Sequence, residues 1–166
     1  MPEIITTYLQ MNSLKELVPA RPFDPDFIVG EAIERDWRLN RSLYQQVGGP
    51  WSWSDKQSWS DQQWEGYVAS QQLRTFVASW QRVTAGYYEL RRDDTGAVEI
   101  AYFGLVPDFI GRGFGGALLT AALERAWSWD AERVWVHTCT LDHSAALTNY
   151  QARGMRIYDQ ETHQIT

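Results

Sequence analysis

The segment 110–116, IGRGFGG, places four glycines in seven residues. It follows an apolar, β-rich run and precedes the helical pattern ALLTAAL, so it joins a strand to a helix. Unpaired amides and the positive end of the helix dipole coincide at such a junction and suit an anion such as a pyrophosphate. Arg112 adds a positive charge within the loop. A plain strand-to-helix turn also uses glycines, and the spacing alone leaves both interpretations open.

Two other phosphate-binding motifs fit this segment less well. A Walker loop is excluded because no Lys-Ser or Lys-Thr pair follows the glycines. The dinucleotide fingerprint requires a βαβ unit and an acidic residue downstream. Nucleotide binding therefore stays as a weaker alternative, which competition between coenzyme A and NAD would test.

The hydrophobic periodicity and the capping residues predict four helices and seven strands. The first helix follows Asp36, and the second follows Ser60 with a Ser60–Gln63 capping box. The third begins near Gly115, and the fourth starts near Ser144 and ends just before Gly154. The strands are predicted at 6–11, 27–33, 74–80, 85–91, 98–106, 133–140 and 155–161. This order predicts an α/β (α+β) fold with a mixed, mostly antiparallel central sheet flanked by helices and ending in a crossover unit.

A turn signal at 93–96, DDTG, predicts an antiparallel hairpin between two of these strands. A symmetric register through that turn places Glu99 opposite Leu90. Side-chain alternation then places Glu99 on one face of the sheet with Ala101 and Phe103.

The composition predicts a single globular domain spanning residues 1–166. A net charge of −6 argues against nucleic-acid binding, which needs a basic surface. The single cysteine excludes an internal disulfide framework and fits a reducing compartment. Neither a signal-peptide pattern nor an apolar run of membrane-spanning length is present, so we expect a cytoplasmic protein that does not use a membrane.

From about Phe76 to Tyr158 the sequence resembles the GNAT superfamily, the GCN5-related N-acetyltransferases. The coenzyme A loop of this family reads Gln/Arg-x-x-Gly-x-Gly/Ala after a strand that ends in an apolar pair. Here the pair Leu105–Val106 precedes Ile110-x-x-Gly113-x-Gly115. The later family signature is a helix that carries a tyrosine, followed by a glycine and an apolar residue. The residues at that spacing here are Tyr150, Gly154 and Met155.

The resemblance implies acetyl-CoA as cosubstrate, no metal, and direct acetyl transfer to a primary amine of a small molecule or peptide. It also implies a coenzyme A core at 76–166, an acceptor-side region at 1–75 and a homodimer, the assembly that this superfamily often forms. A non-catalytic acyl-CoA-binding or sensor module of the same fold is the alternative. The residues that the resemblance assigns to the cosubstrate are Leu105, Val106, Gly111, Arg112, Gly113, Phe114, Gly115, Gly116 and His143.

The same resemblance implies two catalytic roles. Glu99 aligns with the glutamate base of the histone-acetylating branch, acting directly or through a water, and Glu89 is the competing carboxylate. Tyr150 aligns with the general acid that protonates the leaving thiolate. The structural alternatives are a surface glutamate and a core aromatic on an amphipathic helix.

Three positions depart from the family pattern. Ile110 replaces the usual Gln/Arg, and His143 stands where many members have asparagine. Thr138 occupies the position of a glutamate found in relatives that acetylate protein N-termini, which argues against that branch.

Several further residues of chemical interest receive structural interpretations. We expect His137 to be a packed core residue and Cys139 a small buried one rather than a nucleophile. His163 lies in the tail, and no metal-ligand spacing is present. Four of the nine tryptophans crowd into 51–64. They form either an aromatic wall for the acceptor or anchors between irregular helices and the sheet, and we favour anchors.

Overall fold

The computed structural model describes residues 3–21, 24–51 and 53–164. Its strands form one seven-stranded sheet in the order β2-β3-β4-β5-β6-β1-β7, in which every neighbouring pair except β5–β6 is antiparallel. The predicted mixed, mostly antiparallel sheet is confirmed. The strands are β1 (Glu3–Met11), β2 (Phe27–Glu31), β3 (Leu73–Trp80), β4 (Val83–Arg92), β5 (Ala97–Leu105), β6 (Arg133–Cys139) and β7 (Arg156–Gln164).

The four predicted α-helices are present, and the last one begins at Ala146 with Ala145, instead of Ser144, next to its start. They are α1 (Trp37–Gly48), α2 (Asp61–Ala69), α3 (Phe114–Ser128) and α4 (Ala146–Ala152). The Asp36 side chain caps α1, and Ser60 and Gln63 form the predicted capping box on α2. None of the helices in the described part of the chain combines the length and apolar character that crossing a membrane requires.

Two apolar clusters cover opposite faces of the sheet, because successive side chains of β4 point in opposite directions. Tyr88 belongs to the main core, which includes Leu118 and Leu119 of α3. Tyr87 belongs to a second cluster with Leu43 and Val47 of α1. The sheet is therefore covered by α3 on one side and by α1 on the other.

The parallel contact between β5 and β6 is short. It consists of three pairs, from Ala97–Arg133 to Glu99–Trp135, although β5 continues to Leu105. Beyond Glu99 the two strands separate. The separation leaves a cleft in the middle of the sheet.

The predicted cross-strand register of Glu99 is wrong. Glu99 pairs with Arg91 instead of Leu90, and Leu90 pairs with Ile100. The next pair on β4 is Glu89–Tyr102, so β5 contains one extra residue, which is a β-bulge.

The bulge at Ala101 changes which side chains share a face. Directly paired residues lie on the same face, so Glu99 and Tyr102 lie with Arg91. Phe103 pairs with Tyr88 on the α3 face instead. The predicted common face for Glu99 and Phe103 is wrong because the extra residue interrupts the two-residue alternation.

Gly154 closes helix α4, which carries Tyr150, and leads into β7. Its φ is +103°, a left-handed conformation that favours glycine. A Cβ atom at this position would collide with the backbone carbonyl oxygen of Glu16. The end of α4 therefore depends on a glycine for two independent reasons.

We expect Gly154→Ala to lower the free energy of unfolding by about 1–3 kcal/mol, because strain and a backbone collision add at one site. The matched control is Gly66→Ala on the exposed face of α2, where a Cβ meets nothing within 4 Å. That helical substitution should be neutral or stabilising by about 0.5–1 kcal/mol. Urea denaturation of both variants measures the difference, and equal stabilities would contradict this account of Gly154.

Candidate active site

The cleft between β5 and β6 opens into a cavity of about 930 Å³. Residues of β5, β6, α4, the glycine loop and the tryptophan-rich segment line it. It includes Glu99, Leu105, Gly111, Gly115, Gly116, His143 and Tyr150 from the predicted set. The fold thus brings most of the predicted site residues to one space.

The glycine loop ends in the N-terminus of α3. Gly113 is the N-cap with φ +89°, and the helix begins at Phe114, one residue before the predicted start. The first amides of α3 have no partner within the helix and lie next to the cavity at Gly115 and Gly116. This geometry can hold an anion, as the anion-cradle interpretation requires.

Four residues assigned to the cosubstrate do not line the cavity, namely Val106, Arg112, Gly113 and Phe114. Phe114 is buried in an apolar cluster with Phe109. The Arg112 guanidinium lies 5.2–5.4 Å from the ring centres of Trp80, Phe109 and Phe114 and donates a hydrogen bond to the Asp108 carbonyl. The Val106 amide bonds the Ala85 carbonyl at 2.7 Å. With Gly113, these residues shape the loop and are not part of the cavity wall.

Arg153 is a basic residue near the loop that sequence reasoning missed. Its Nη1 lies 3.4 Å from the position that a Cβ would occupy on Gly116. Its Nε is buried without a hydrogen-bond partner in the described part of the chain. The signal in the sequence was a basic residue directly before Gly154 of the family signature. The distance between Arg153 and the loop, however, depends on how α4 packs.

Tyr150 sits on α4 with its ring 6.0 Å from that of Phe103. Burial raises the pKa of its phenol, and the nearby Asp142 carboxylate raises it further. None of the side-chain hydrogen bonds in the described part of the chain involves the Tyr150 hydroxyl. The neighbouring Asn149 amide donates to the Gly115 carbonyl at 3.0 Å, which ties α4 to the start of α3.

Glu99 lies at the point where β5 and β6 separate and is only 8% exposed. Its Oε1 accepts a hydrogen bond from Arg91 Nη2 at 3.1 Å. Its Oε2 is 4.0 Å from His137 Nε2. This carboxylate therefore faces the cavity between two groups that can carry positive charge.

The prediction that His137 is a core residue is wrong. Its side chain is 48% exposed and lines the cavity. It alternates with the buried Val136 on β6 and lies on the same face of the sheet as Trp135, the residue paired with Glu99.

Cys139, the last residue of β6, also lines the cavity. Burial raises the pKa of its thiol, which disfavours the thiolate that a nucleophile needs. The predicted burial of Cys139 is only partial, because the side chain is half-buried in the cavity wall.

The far wall of the cavity comes from the tryptophan-rich segment. The Trp51 ring meets the His143 ring edge to face at 5.1 Å, and Trp53 Nε1 donates to Asp142 Oδ1. Trp64 is in contrast 2% exposed and packs against Tyr44. The tryptophans therefore divide between the two interpretations, with some lining the cavity and one anchoring a helix.

Glu89, the competing carboxylate, is completely buried and does not line the cavity. Tyr67 donates to Oε1 at 2.5 Å, and Asn40 donates to Oε2 at 2.8 Å. Burial raises the pKa of Glu89, and these hydrogen bonds oppose that shift. Both Glu89 oxygens accept hydrogen bonds, whereas Glu99 accepts one from Arg91 on Oε1. Across residues 3–21, 24–51 and 53–164, no three His, Cys, Asp or Glu side chains are placed to hold a metal ion.

The sequence profile of the Acetyltransferase (GNAT) family matches residues 32–155. This match begins well before Phe76, the first residue of the segment whose motifs resemble the family. No curated protein matches the sequence.

The fold is similar to several solved structures of low sequence identity. A GCN5-related N-acetyltransferase from Sphaerobacter thermophilus has a TM-score of 0.74 at 15% identity, over 96% of this chain and 50% of that one. One from Kribbella flavida has a TM-score of 0.69 at 12% identity, over 95% and 56%. An aminoglycoside acetyltransferase from an uncultured soil metagenomic sample has a TM-score of 0.64 at 15% identity, over 80% and 90%.

This chain spans about half the length of the Sphaerobacter and Kribbella structures. The similarity nevertheless extends over nearly all of this chain. Because the family profile matches well over half of the sequence and the fold agrees with it, the chain belongs to the acetyltransferase (GNAT) family.

Proposed function

We propose that this protein is an acetyl-CoA-dependent N-acetyltransferase that transfers an acetyl group directly to a primary amine of a small molecule or peptide. The observation that carries the proposal is the single cavity lined by Glu99, Tyr150 and the glycine loop. A base, an acid and an anion cradle are the three groups that direct acetyl transfer requires.

The shape of the cavity supports acetyl-CoA as the cosubstrate. The α3 amides at Gly115 and Gly116 would hold the pyrophosphate, with Arg153 supplying positive charge nearby. The β5 backbone beyond Glu99, unpaired on its β6 side, would bond the amide groups of the pantetheine arm as an added strand. When bound, acetyl-CoA supplies the acetyl group as a thioester. Leu105 and His143 line the same space.

Glu99 acts as the base in this proposal. The acceptor reaches the site as an ammonium ion, which has no lone pair and must lose a proton before it can attack a carbonyl. Glu99 removes that proton directly or through a water. Arg91 holds one carboxylate oxygen and thereby sets the orientation of the other toward the cavity.

Tyr150 acts as the general acid. Because the pKa of the Tyr150 phenol is raised above its ordinary value of 10.0, the phenol stays protonated at neutral pH and also at pH 10. A protonated phenol can donate to the leaving thiolate, and no side-chain hydrogen bond within the described chain competes for the Tyr150 hydroxyl.

The alternative of a non-catalytic acyl-CoA-binding module rests on Ile110. This residue lines the cavity at the position where the family usually has a polar or basic side chain. A binding module needs neither a base nor an acid in the cavity. Release of free thiol from acetyl-CoA in the presence of a panel of primary amines distinguishes the two functions, and the homodimer that the resemblance implies stays a prediction.

Gly115→Val should weaken acetyl-CoA binding about tenfold or more, because the added methyl groups occupy the approach to the α3 amides. A Cβ here makes only ordinary contacts, at 3.5 Å from Asn149 Nδ2 and 4.0 Å from Leu105 Cδ1, so the fold should survive. Gly113 is a poorer test because its φ of +89° would strain any side chain.

Isothermal titration with acetyl-CoA gives the dissociation constant, with Gly66→Val as the remote glycine control. Unchanged affinity in folded Gly115→Val protein would remove the glycine loop from the proposed site.

Glu99→Gln should lower kcat/KM by about 10²–10⁴-fold at neutral pH with an amine that supports thiol release. The loss should shrink as pH rises, because more of the amine then arrives without its extra proton. The pH–rate profile of the variant measures this recovery. A profile that parallels the wild type at every pH would show that Glu99 is not the base.

Tyr150→Phe should lower the rate by a similar factor without any recovery at high pH, because it removes a proton donor rather than an acceptor. The raised pKa also predicts that the wild type keeps its acid function up to pH 10. The same pH–rate series tests both points. A Tyr150→Phe variant with wild-type kcat would assign the tyrosine to the core alone.

A further inference from the structure

The chain has only two lysines among its fifteen basic residues other than histidine. Lys15 is exposed near the N-terminus. Lys56 lies in the tryptophan-rich segment, where its side chain is 11% exposed and lines the cavity. An amine of the type that the proposed reaction uses is thus part of the cavity wall.

Three aromatic rings surround the Lys56 ammonium. Its Nζ lies 4.3 Å from the ring centre of Trp59, 4.6 Å from that of Tyr67 and 4.8 Å from that of Tyr102. Such distances are those of cation–π contacts. The Nζ also donates a hydrogen bond to the Tyr102 hydroxyl at 2.9 Å. We call Trp59, Tyr67 and Tyr102 the aromatic cage.

Asp55 supplies the counter-charge to the caged ammonium. Its Oδ2 lies 3.5 Å from Lys56 Nζ, and Tyr102 and Tyr44 both donate hydrogen bonds to its carboxylate. Burial raises the pKa of Asp55, but these hydrogen bonds and the lysine charge outweigh that effect and lower it overall. Asp55 is therefore ionised and pairs with the Lys56 ammonium.

A lysine in this position differs chemically from the arginines that form most of the other ion pairs of the described chain. A guanidinium stays charged in proteins, whereas an ammonium can lose its proton when it is buried. Burial lowers the pKa of Lys56, against the opposing pull of Asp55 and Glu89. If this residue only anchored the segment through its charge, an arginine would serve equally well at position 56.

The cage adjoins the proposed catalytic groups. Tyr102 follows the bulge on β5 and lies on the same face of the sheet as Glu99. The two Cα atoms are separated by at most about 10 Å, at about 3.3 Å per residue along a strand. Lys56, Glu99 and Tyr150 line one cavity, and the flexible lysine stem allows Nζ to move within it.

We propose that Lys56 is itself an acetyl acceptor, modified within its own molecule by acetyl-CoA bound in the same cavity. This inference rests on the proposed function. The ammonium loses one proton to solvent. The neutral Nζ attacks the thioester carbonyl carbon, a carbon–nitrogen bond forms, and the carbon–sulfur bond breaks. The thiolate takes the second proton, so the products are the amide of Lys56, free coenzyme A and one proton released.

Acetylation would change the cavity. The modified lysine carries no charge, so the cation–π contacts with the cage and the ion pair with Asp55 are lost. The acetyl group also adds volume next to Tyr102. The modification would therefore alter the half of the cavity where an external amine has to bind.

The test is to incubate the protein with acetyl-CoA without any other amine and to locate acetyl groups by peptide mass mapping. We expect one acetyl group on Lys56 and only chemical background on Lys15, the exposed control in the same molecule. The rate per molecule should not change over about a tenfold range of protein concentration, as expected for a reaction within one molecule. Modified protein should also melt at a lower temperature, because Asp55 has lost its cation.

Three variants separate this reaction from chemical acetylation. Lys56→Arg keeps the cation–π contacts and the charge but should acquire no acetyl group. Tyr150→Phe should slow modification of Lys56 about tenfold or more, while background on Lys15 stays the same. Gly115→Val should slow it through weaker acetyl-CoA binding.

The outcomes distinguish the inference from the proposed function. If acetyl-CoA binds and Lys56 remains unmodified, the inference is wrong while the proposed function stands. Equal modification of Lys15 and Lys56, insensitive to Tyr150→Phe, also overturns it. If titration shows no binding of acetyl-CoA at all, the proposed function and the inference both fail.

Discussion

The short parallel pairing of β5 with β6 is the constraint on which the site depends. Hydrogen bonding between these strands stops at the Glu99–Trp135 pair, although both strands continue. A sheet that loses one row of hydrogen bonds must place those backbone groups against something else, since unpaired buried amides and carbonyls are costly. The cleft therefore exposes polar backbone in the centre of the molecule, where an amide-containing ligand can pair with it.

The separation of the strands also explains why the carboxylates of Glu89 and Glu99 have different surroundings. Glu89 lies on β4, where α1 and α2 cover it, and Asn40 and Tyr67 satisfy its oxygens. Glu99 lies at the end of the paired region, where the cavity begins. Both carboxylates are buried, but Glu89 has both oxygens hydrogen-bonded inside the fold, whereas Glu99 lines the cavity.

The tryptophan-rich segment links this site to the helices on the same face. Trp64 and Tyr44 pack into that layer, while Trp53 reaches across to Asp142 at the other edge of the cleft. Asp142 in turn accepts hydrogen bonds from Thr138 and from the Cys139 amide, so it holds the end of β6. One segment thus completes the cavity wall and ties the two separated strands together through side chains.

Local features of this protein were determined by the sequence alone. The Asp36 cap, the Ser60–Gln63 capping box and the turn at 93–96 were predicted because each depends on interactions within about four residues. The order of helices and strands, and with it the family resemblance, followed from the same local patterns. The Tyr150–Gly154 spacing belongs to this class, since both residues lie at one helix and its end.

Only the tertiary structure decided which of these residues meet. The extra residue Ala101 moved Phe103 away from Glu99, and no pattern within β5 signals a bulge. The exposure of His137 depends on where β6 leaves β5, and the cage around Lys56 joins rings from three separate parts of the chain. Arg153 approaches Gly116 only because α4 packs beside α3. These contacts are set by cross-strand register and helix packing between distant residues, and local propensity does not encode either one.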